Sequence, residues 1–342
     1  MKNRLILLFM LSSWFISDVF AEHQSRYMEI NGHKLQITEW YSSSHNRQPT
    51  TNDPKLSTVL LLSGPTDNWN SDSAWFARLA PKLAKHYRVV AIDRAGQQTD
   101  NPNAPLGYIQ FGKDLQQLIP KLAIKKMHII GFASANIAIN QLLSGTLSTE
   151  TLSITLIDPD VLLPYSINRY KSDAKPFKDN LEKYIEYIGA GKYAARAKQK
   201  NDTEYKHLQS INAKDPETDW RYVEKTFQSR LSIISLQNLF KEIARYGEDL
   251  DIAAKQTLPK DIPLVVFDTD FEDNYIAQTE KDADKQGLRR WKAEAAKFYQ
   301  QLADESVNGQ YIHLDSKEHL LPFSDPDQLI ATIQRLNDRA SQ

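Results

Sequence analysis

Short apolar runs recur along this chain, and most are separated by stretches with helical spacing. The runs are Thr58 to Leu62, Tyr87 to Asp93, Met127 to Gly131, Ser153 to Pro159, Ile262 to Phe267 and Gln310 to Leu314. Runs this short, with little apolar–polar alternation, read as strands buried on both faces, as in a parallel sheet. Apolar residues at helical spacing predict helices around Ala74–His86 (through Phe76, Leu79 and Leu83), Gly112–Leu122, Ala283–Leu302 and Pro326–Leu336. Strands and helices in this order form a mostly parallel α/β sheet with helices on both faces. An antiparallel addition is expected at the start. Tyr27 to Ile30 and Lys34 to Tyr41 alternate around Asn31-Gly32, the strongest short hairpin signal.

The rhythm breaks between Asp160 and Lys260. No buried β-run occurs there, and charged helical segments such as Asn180–Ile188 and Arg221–Tyr246 take over. The expected organisation is therefore a core in two parts, 22–159 and 261–342, with a helical cap inserted over 160–260. Ser42 to Lys55 is polar with two prolines and reads as an exposed loop.

The first residues read as an address. Lys2 and Arg4 precede an apolar run from Leu5 to Ile16, and Val19-Phe20-Ala21 has the character of a signal-peptidase site. The run falls well short of the roughly 20 residues needed to span a bilayer. A signal peptide over 1–21, cleaved after Ala21, and a periplasmic or secreted protein without a stable membrane anchor are expected. The chain contains no cysteine, which excludes a disulfide framework and a thiolate nucleophile and suits an oxidising compartment. A formal net charge of -1 argues against a nucleic-acid partner, which would need a basic face. The expected partner is a small-molecule substrate or ligand, with no cofactor. His313 and His319 with Asp315 and Glu318 have no common metal-site spacing, so no metal is expected.

In sheets of this kind functional groups collect at the carboxyl ends of the strands. Those ends carry Ser63-Gly64-Pro65, Asp93-Arg94-Ala95-Gly96, Gly131 to Asn136, Asp268 to Asp273 and Ser316-Lys317-Glu318-His319. Asp93-Arg94 is expected to pair within its own loop. Trp69, Trp75 and Trp220 are candidates for a pocket wall or for the core.

Taken in order, these markers resemble the α/β-hydrolase superfamily, whose triad runs nucleophile, acid, histidine along the chain. The resemblance spans about Tyr27 to Leu336. It implies a catalytic histidine at His319 and an acid just past the strand that starts at Pro263. Glu272 is the first choice for that acid, with Asp270 and Asp273 as alternatives. It also implies a nucleophile elbow, G-x-S-x-G, at Gly131-Phe132-Ala133-Ser134-Ala135, and here the nucleophile position holds Ala133. A methyl group cannot attack a carbonyl. Ser134, one residue on, is a displaced alternative or a cap for the following helix. The oxyanion loop departs as well. Gly64 is followed by Pro65, which has no N–H to donate, leaving Ser134 N–H and the amide of Thr66. Ala135 and Asn136 replace glycines of the family pattern.

Three functions are then open. One is an enzyme that uses a histidine–acid pair without a serine acyl-enzyme, acting on a small ester-like substrate. The second is an inactive, hydrolase-like ligand-binding protein, and the third a serine esterase using Ser134.

Overall fold

The structure, a computed structural model, describes residues 21–42, 57–66, 68–97, 101–212 and 215–340. The expected signal peptide and the loop expected from Ser42 to Lys55 lie outside them, apart from Ala21 and Ser42 at their ends.

The chain opens with the hairpin of β1 (Ala21–Ile30) and β2 (His33–Ser42). Asn31 and Gly32 turn it with φ of 53° and 79°, the two positive values that a tight two-residue turn between twisted strands requires. The apolar runs become β3 (Thr58–Leu62), β4 (Arg88–Asp93), β5 (Lys126–Phe132), β6 (Glu150–Ile157), β7 (Leu264–Thr269) and β8 (Gln310–Leu314), the last an edge strand that is only partly buried rather than covered on both faces. They join in the order β1-β2-β4-β3-β5-β6-β7-β8, with β1 and β2 antiparallel and the others parallel. Alternate residues of each strand feed opposite faces. Leu60, Leu62, Val90, Ile129, Leu156 and Val266 pack on α2 (Tyr108–Lys121), α3 (Ala135–Leu143) and α10 (Asp282–Glu305). Val59, Leu61, Val89, Ile130, Val265 and Phe267 pack on α1 (Leu79–Leu83) and α12 (Pro326–Ala340).

The helix expected over Ala74–His86 is split. A 3-10 turn at Ser73–Phe76 precedes α1. Pro81 explains the break, because a proline is tolerated in the first turn of a helix but not inside one that had started at Ala74. Between β6 and β7 the described residues form α4 (Pro164–Asp179), α5 (Leu181–Gly189), α6 (Ala194–Asn212), α7 (Trp220–Ser229) and α8 (Ile233–Ala253). The segment expected as one helical stretch from Arg221 to Tyr246 breaks at Arg230–Ser232, where Ser232 caps α8 by accepting from Ser235 N. α9 (Glu272–Gln278) and α11 (Leu321–Ser324) are short pieces beside the strand ends. Among the described residues no helix is long and apolar enough to cross a membrane.

Buried ion pairs fasten the helical insert to the core. Arg94 does not pair within its loop as expected. It donates through Nε to Glu242 Oε1 of α8 at 2.7 Å, to Ser63 O at 2.9 Å and to Ser71 Oγ, with Tyr108 stacked under its guanidinium. Asp93 instead accepts from Ser73 N at 2.7 Å. Arg230 reaches back to Asp72, Nε to Oδ2 at 2.6 Å, and to Glu204. Removing one partner of such a pair leaves a buried, uncompensated charge, which costs about 3–5 kcal/mol. Glu242→Leu is expected to lower the free energy of urea unfolding by that amount. A loss under about 1 kcal/mol, the range of an exposed pair, would contradict the clamp.

Candidate active site

The elbow keeps its shape without its nucleophile. Ala133, between β5 and α3, has φ of 49°, a left-handed backbone that costs a residue with a Cβ on the order of 1–3 kcal/mol. Its N–H donates to Ile157 O at 2.9 Å, which holds the turn against the end of β6. A Cβ at Gly131 would lie 2.5 Å from Ile139 Cδ1, the end of an α3 side chain that would have to shift to admit it. A Cβ at Gly64 would fall 2.3 Å from Ser134 N and 2.4 Å from Phe132 O. The loop after β3 therefore lies directly on the elbow.

His319, in the loop between β8 and α11, sits against this turn. Its ring centroid is 4.7 Å from that of Phe132 and 4.1 Å from that of Phe271. The partner of its Nδ1 is Asp158 Oδ2, at 2.9 Å. This corrects the expected acid. Asp158 ends β6 with φ of 43°, and its buried carboxylate also accepts from Thr269 N and Thr269 Oγ1, each at 2.7 Å. Nδ1 donating to a carboxylate leaves Nε2 as the nitrogen free to take a proton.

Two of the three expected acids are engaged elsewhere. Asp270 and Asp273 pair with Lys292, at 2.6 and 2.7 Å. Glu272 opens α9 and is 1% exposed. No hydrogen bond joins it to His319 among the described residues, and its Oε2 has no hydrogen-bond partner there. Burial, with the charges of Asp158 and Asp268 nearby, raises its pKa to about 8. The physical reason for the correction is sheet order. β6 lies between β5 and β7, so an acid at the end of β6 is one strand nearer the elbow than any acid after β7. The signal was present as Ile157-Asp158-Pro159, a carboxylate at a strand's carboxyl end.

Ser134 is fully buried, and its Oγ lies 2.8 Å from Tyr246 Oη of α8. Tyr246 in turn donates to Asp160 Oδ2. Ser134 makes no side-chain capping bond to α3, so the capping role expected for it is not observed. Asn136 donates through Nδ2 to Asp160 O at 2.9 Å, tying α3 to the chain that leaves β6. Burial raises the pKa of Tyr108, Tyr170 and Tyr246, which keeps these phenols protonated. Trp69, with φ of 65°, meets Tyr246 edge-on at 5.6 Å, and Trp291 donates to Tyr170 Oη at 2.9 Å. Of the three tryptophans considered, Trp69 joins this aromatic cluster around Tyr246. Trp75 is core against Phe227, and Trp220 packs on Phe323.

The amide of Thr66 is not free for an oxyanion. Thr66 N donates to Asn70 O at 3.0 Å, and Thr66 Oγ1 donates to Glu204 Oε1 at 2.6 Å. With Pro65 lacking a donor, Ser134 N–H at the start of α3 is the elbow's own donor. Among the described residues no group of three or more His, Asp or Glu side chains is placed to hold a metal ion.

Glu272 gives a pH dependence with a definite sign. Its ordinary value is 4.5 and its folded value about 8, so between these the folded chain keeps a proton that the unfolded chain has lost. Its contribution to stability is complete below 4.5 and is lost as pH rises through about 8. Urea unfolding is expected to show a smaller fall in stability from pH 5 to pH 8.5 in Glu272→Gln than in the native chain. Equal slopes in the two proteins would show that Glu272 is not held protonated.

Known proteins agree with this architecture. A sequence profile described as the alpha/beta hydrolase family matches residues 59–332. Among curated proteins, none matches this chain. Solved structures with the same fold include the epoxide hydrolase CorEH without ligand, at 15% identity and TM-score 0.58, covering 92% of this chain and 98% of that one. An alpha/beta hydrolase fold protein from Burkholderia ambifaria aligns at 17% identity and TM-score 0.55, over 91% and 99% of the two chains. The enol-lactonase from Burkholderia xenovorans LB400 aligns at 13% identity and TM-score 0.53, over 92% and 100%. With the strand order, the elbow and a profile match over more than half its length, the chain belongs to the alpha/beta hydrolase family.

Proposed function

We propose that the protein is an exported enzyme that transforms a small organic, ester-like substrate with the Asp158–His319 pair and no serine acyl-enzyme. The observation that carries this reading is the intact pair, 2.9 Å apart, beside an elbow whose nucleophile position is a methyl group. In this reading His319 Nε2 removes a proton from water as the water attacks the electrophilic carbon. Asp158 stabilises the imidazolium, which then returns the proton to the leaving oxygen. An epoxide hydrolase and an enol-lactonase on the same fold support a substrate with a reactive C–O bond.

A second reading, ligand binding without turnover, draws on the oxyanion loop. Pro65 has no N–H and Thr66 N–H is engaged, and loss of one oxyanion donor costs about 3–4 kcal/mol in the transition state. The serine-esterase reading finds less support, because Ser134 Oγ is buried against Tyr246.

Turnover across a panel of esters, lactones and epoxides is expected to fall by about 10³-fold or more in His319→Ala. A fluorophosphonate is expected to leave the native protein unlabelled and to label Ala133→Ser, whose new hydroxyl would occupy the elbow. Labelling of native Ser134 would establish the esterase instead. Absence of turnover on the whole panel, with ligand binding unchanged in His319→Ala, would establish the binding protein. Export rests on the Lys2–Ala21 leader, and the amino terminus of protein recovered from the cell envelope or medium is expected to be Glu22. Recovery of the chain in the cytoplasm with Met1 intact would refute it.

A further inference from the structure

Two phenyl rings lie against the imidazole of His319. Phe132, the last residue of β5, meets it at a centroid distance of 4.7 Å with 48° between the ring planes. Phe271, between β7 and α9, comes nearer, at 4.1 Å and 32°. At that distance and tilt the two rings stack face toward face. Phe132 is fully buried in the core, whereas Phe271 is only partly buried. Other aromatic rings hold Phe271 in place. Trp291 of α10 packs nearly at right angles to it at 5.6 Å, and Tyr275 of α9 does the same at 6.0 Å. A phenyl ring makes no conventional hydrogen bond, so it competes neither for Nε2 nor for the bond from Nδ1 to Asp158. What it offers is a negatively charged face. A cation within about 6 Å of such a face is attracted to it, and a neutral imidazole gains no comparable attraction.

We propose that Phe271 is a positioning residue for His319, its phenyl face favouring the imidazolium over the neutral imidazole. The proposal rests on the reading above, in which the imidazolium is the species formed as water gives up its proton. Asp158 meets that charge through Nδ1 and Phe271 meets it through the ring face, which leaves the Nε2 edge to the proton. The loop after β7, where the acid was expected, thus delivers an aromatic face to the base. The other charges around His319 are distinct from this contact. They are Asp160 in the segment after β6 and Glu318 beside it in the chain, the latter paired with His207 of α6 at 3.0 Å. On the β7 side Asp270 and Asp273 are paired with Lys292, and Glu272 stays protonated up to about pH 8. Replacing Phe271 by another neutral residue adds no charge and removes none of these.

The test follows the Cε1–H signal of His319 by NMR through a pH titration of the full chain, without substrate. In Phe271→Leu, which keeps an apolar side chain but has no π face, the titration midpoint is expected roughly 0.4 to 0.7 of a pH unit below that of the native protein. Phe271→Tyr keeps the face and is expected to stay within about 0.2 of a pH unit. Pentafluorophenylalanine at position 271 keeps the shape and inverts the charge of the face, and should lower the midpoint at least as far as leucine does. The Nδ1 proton bonded to Asp158 is expected to persist in all three proteins. A midpoint that stays put in Phe271→Leu, or one that falls equally in Phe271→Tyr, would reduce the contact to packing and overturn the proposal. Loss of the Nδ1 proton in Phe271→Leu would also overturn it, by showing that the phenyl merely props the ring. Because the titration needs no substrate, each of these failures leaves the dyad reading to the His319→Ala experiment.

Discussion

The carboxylate of Asp158 is the constraint on which the site depends. It stands where β6 ends and the chain leaves the sheet for the helical insert, on a left-handed backbone. Thr269 at the end of β7 donates to it twice, and His319 after β8 donates to it once. One buried side chain thus joins the ends of neighbouring strands, and the direction of the imidazole follows from the register of β6 on β7. A buried acceptor serving three donors has little freedom to turn away, so the imidazole of His319 is held in one orientation.

The insert shapes the other side. Arg94 organises the loop after β3 through Ser63 and Ser71 while pairing with Glu242 of α8, so the oxyanion loop and the insert share one buried cation. The same helix delivers Tyr246 to Ser134 and Asp160. The hydroxyl nearest the elbow is therefore held by a phenol from the insert rather than turned toward the base. That arrangement fits the proposed chemistry, which draws its nucleophile from solvent. It also explains why the elbow survives with alanine: Gly64, Gly131 and the Ala133–Ile157 hydrogen bond keep it packed whatever side chain it carries.

Most of the fold was legible in the sequence because buried parallel strands announce themselves as apolar runs. Thr58–Leu62, buried throughout, begins and ends where the pattern put it, and so does the partly exposed edge strand Gln310–Leu314. The helix expected from Ala74 was misjudged because apolar spacing carries no information about Pro81. The site was only half legible. His319 is marked by its place after the last strand, but Glu272, placed after β7 as the family order suggests, is not the residue that meets it. What decides the acid is lateral distance across the sheet, which strand order sets and local sequence does not. Arg94 illustrates the same limit, since its partner Glu242 lies far along the chain in another element.

The most direct measurement of this account is the ¹H–¹⁵N NMR signal of His319, which requires no substrate. A protected Nδ1 proton shifted strongly downfield is predicted in the native protein and in Glu272→Gln, and it should disappear in Asp158→Asn. A signal that survives in Asp158→Asn and is lost in Glu272→Gln would show that Glu272 holds the histidine, and would contradict the account at its centre.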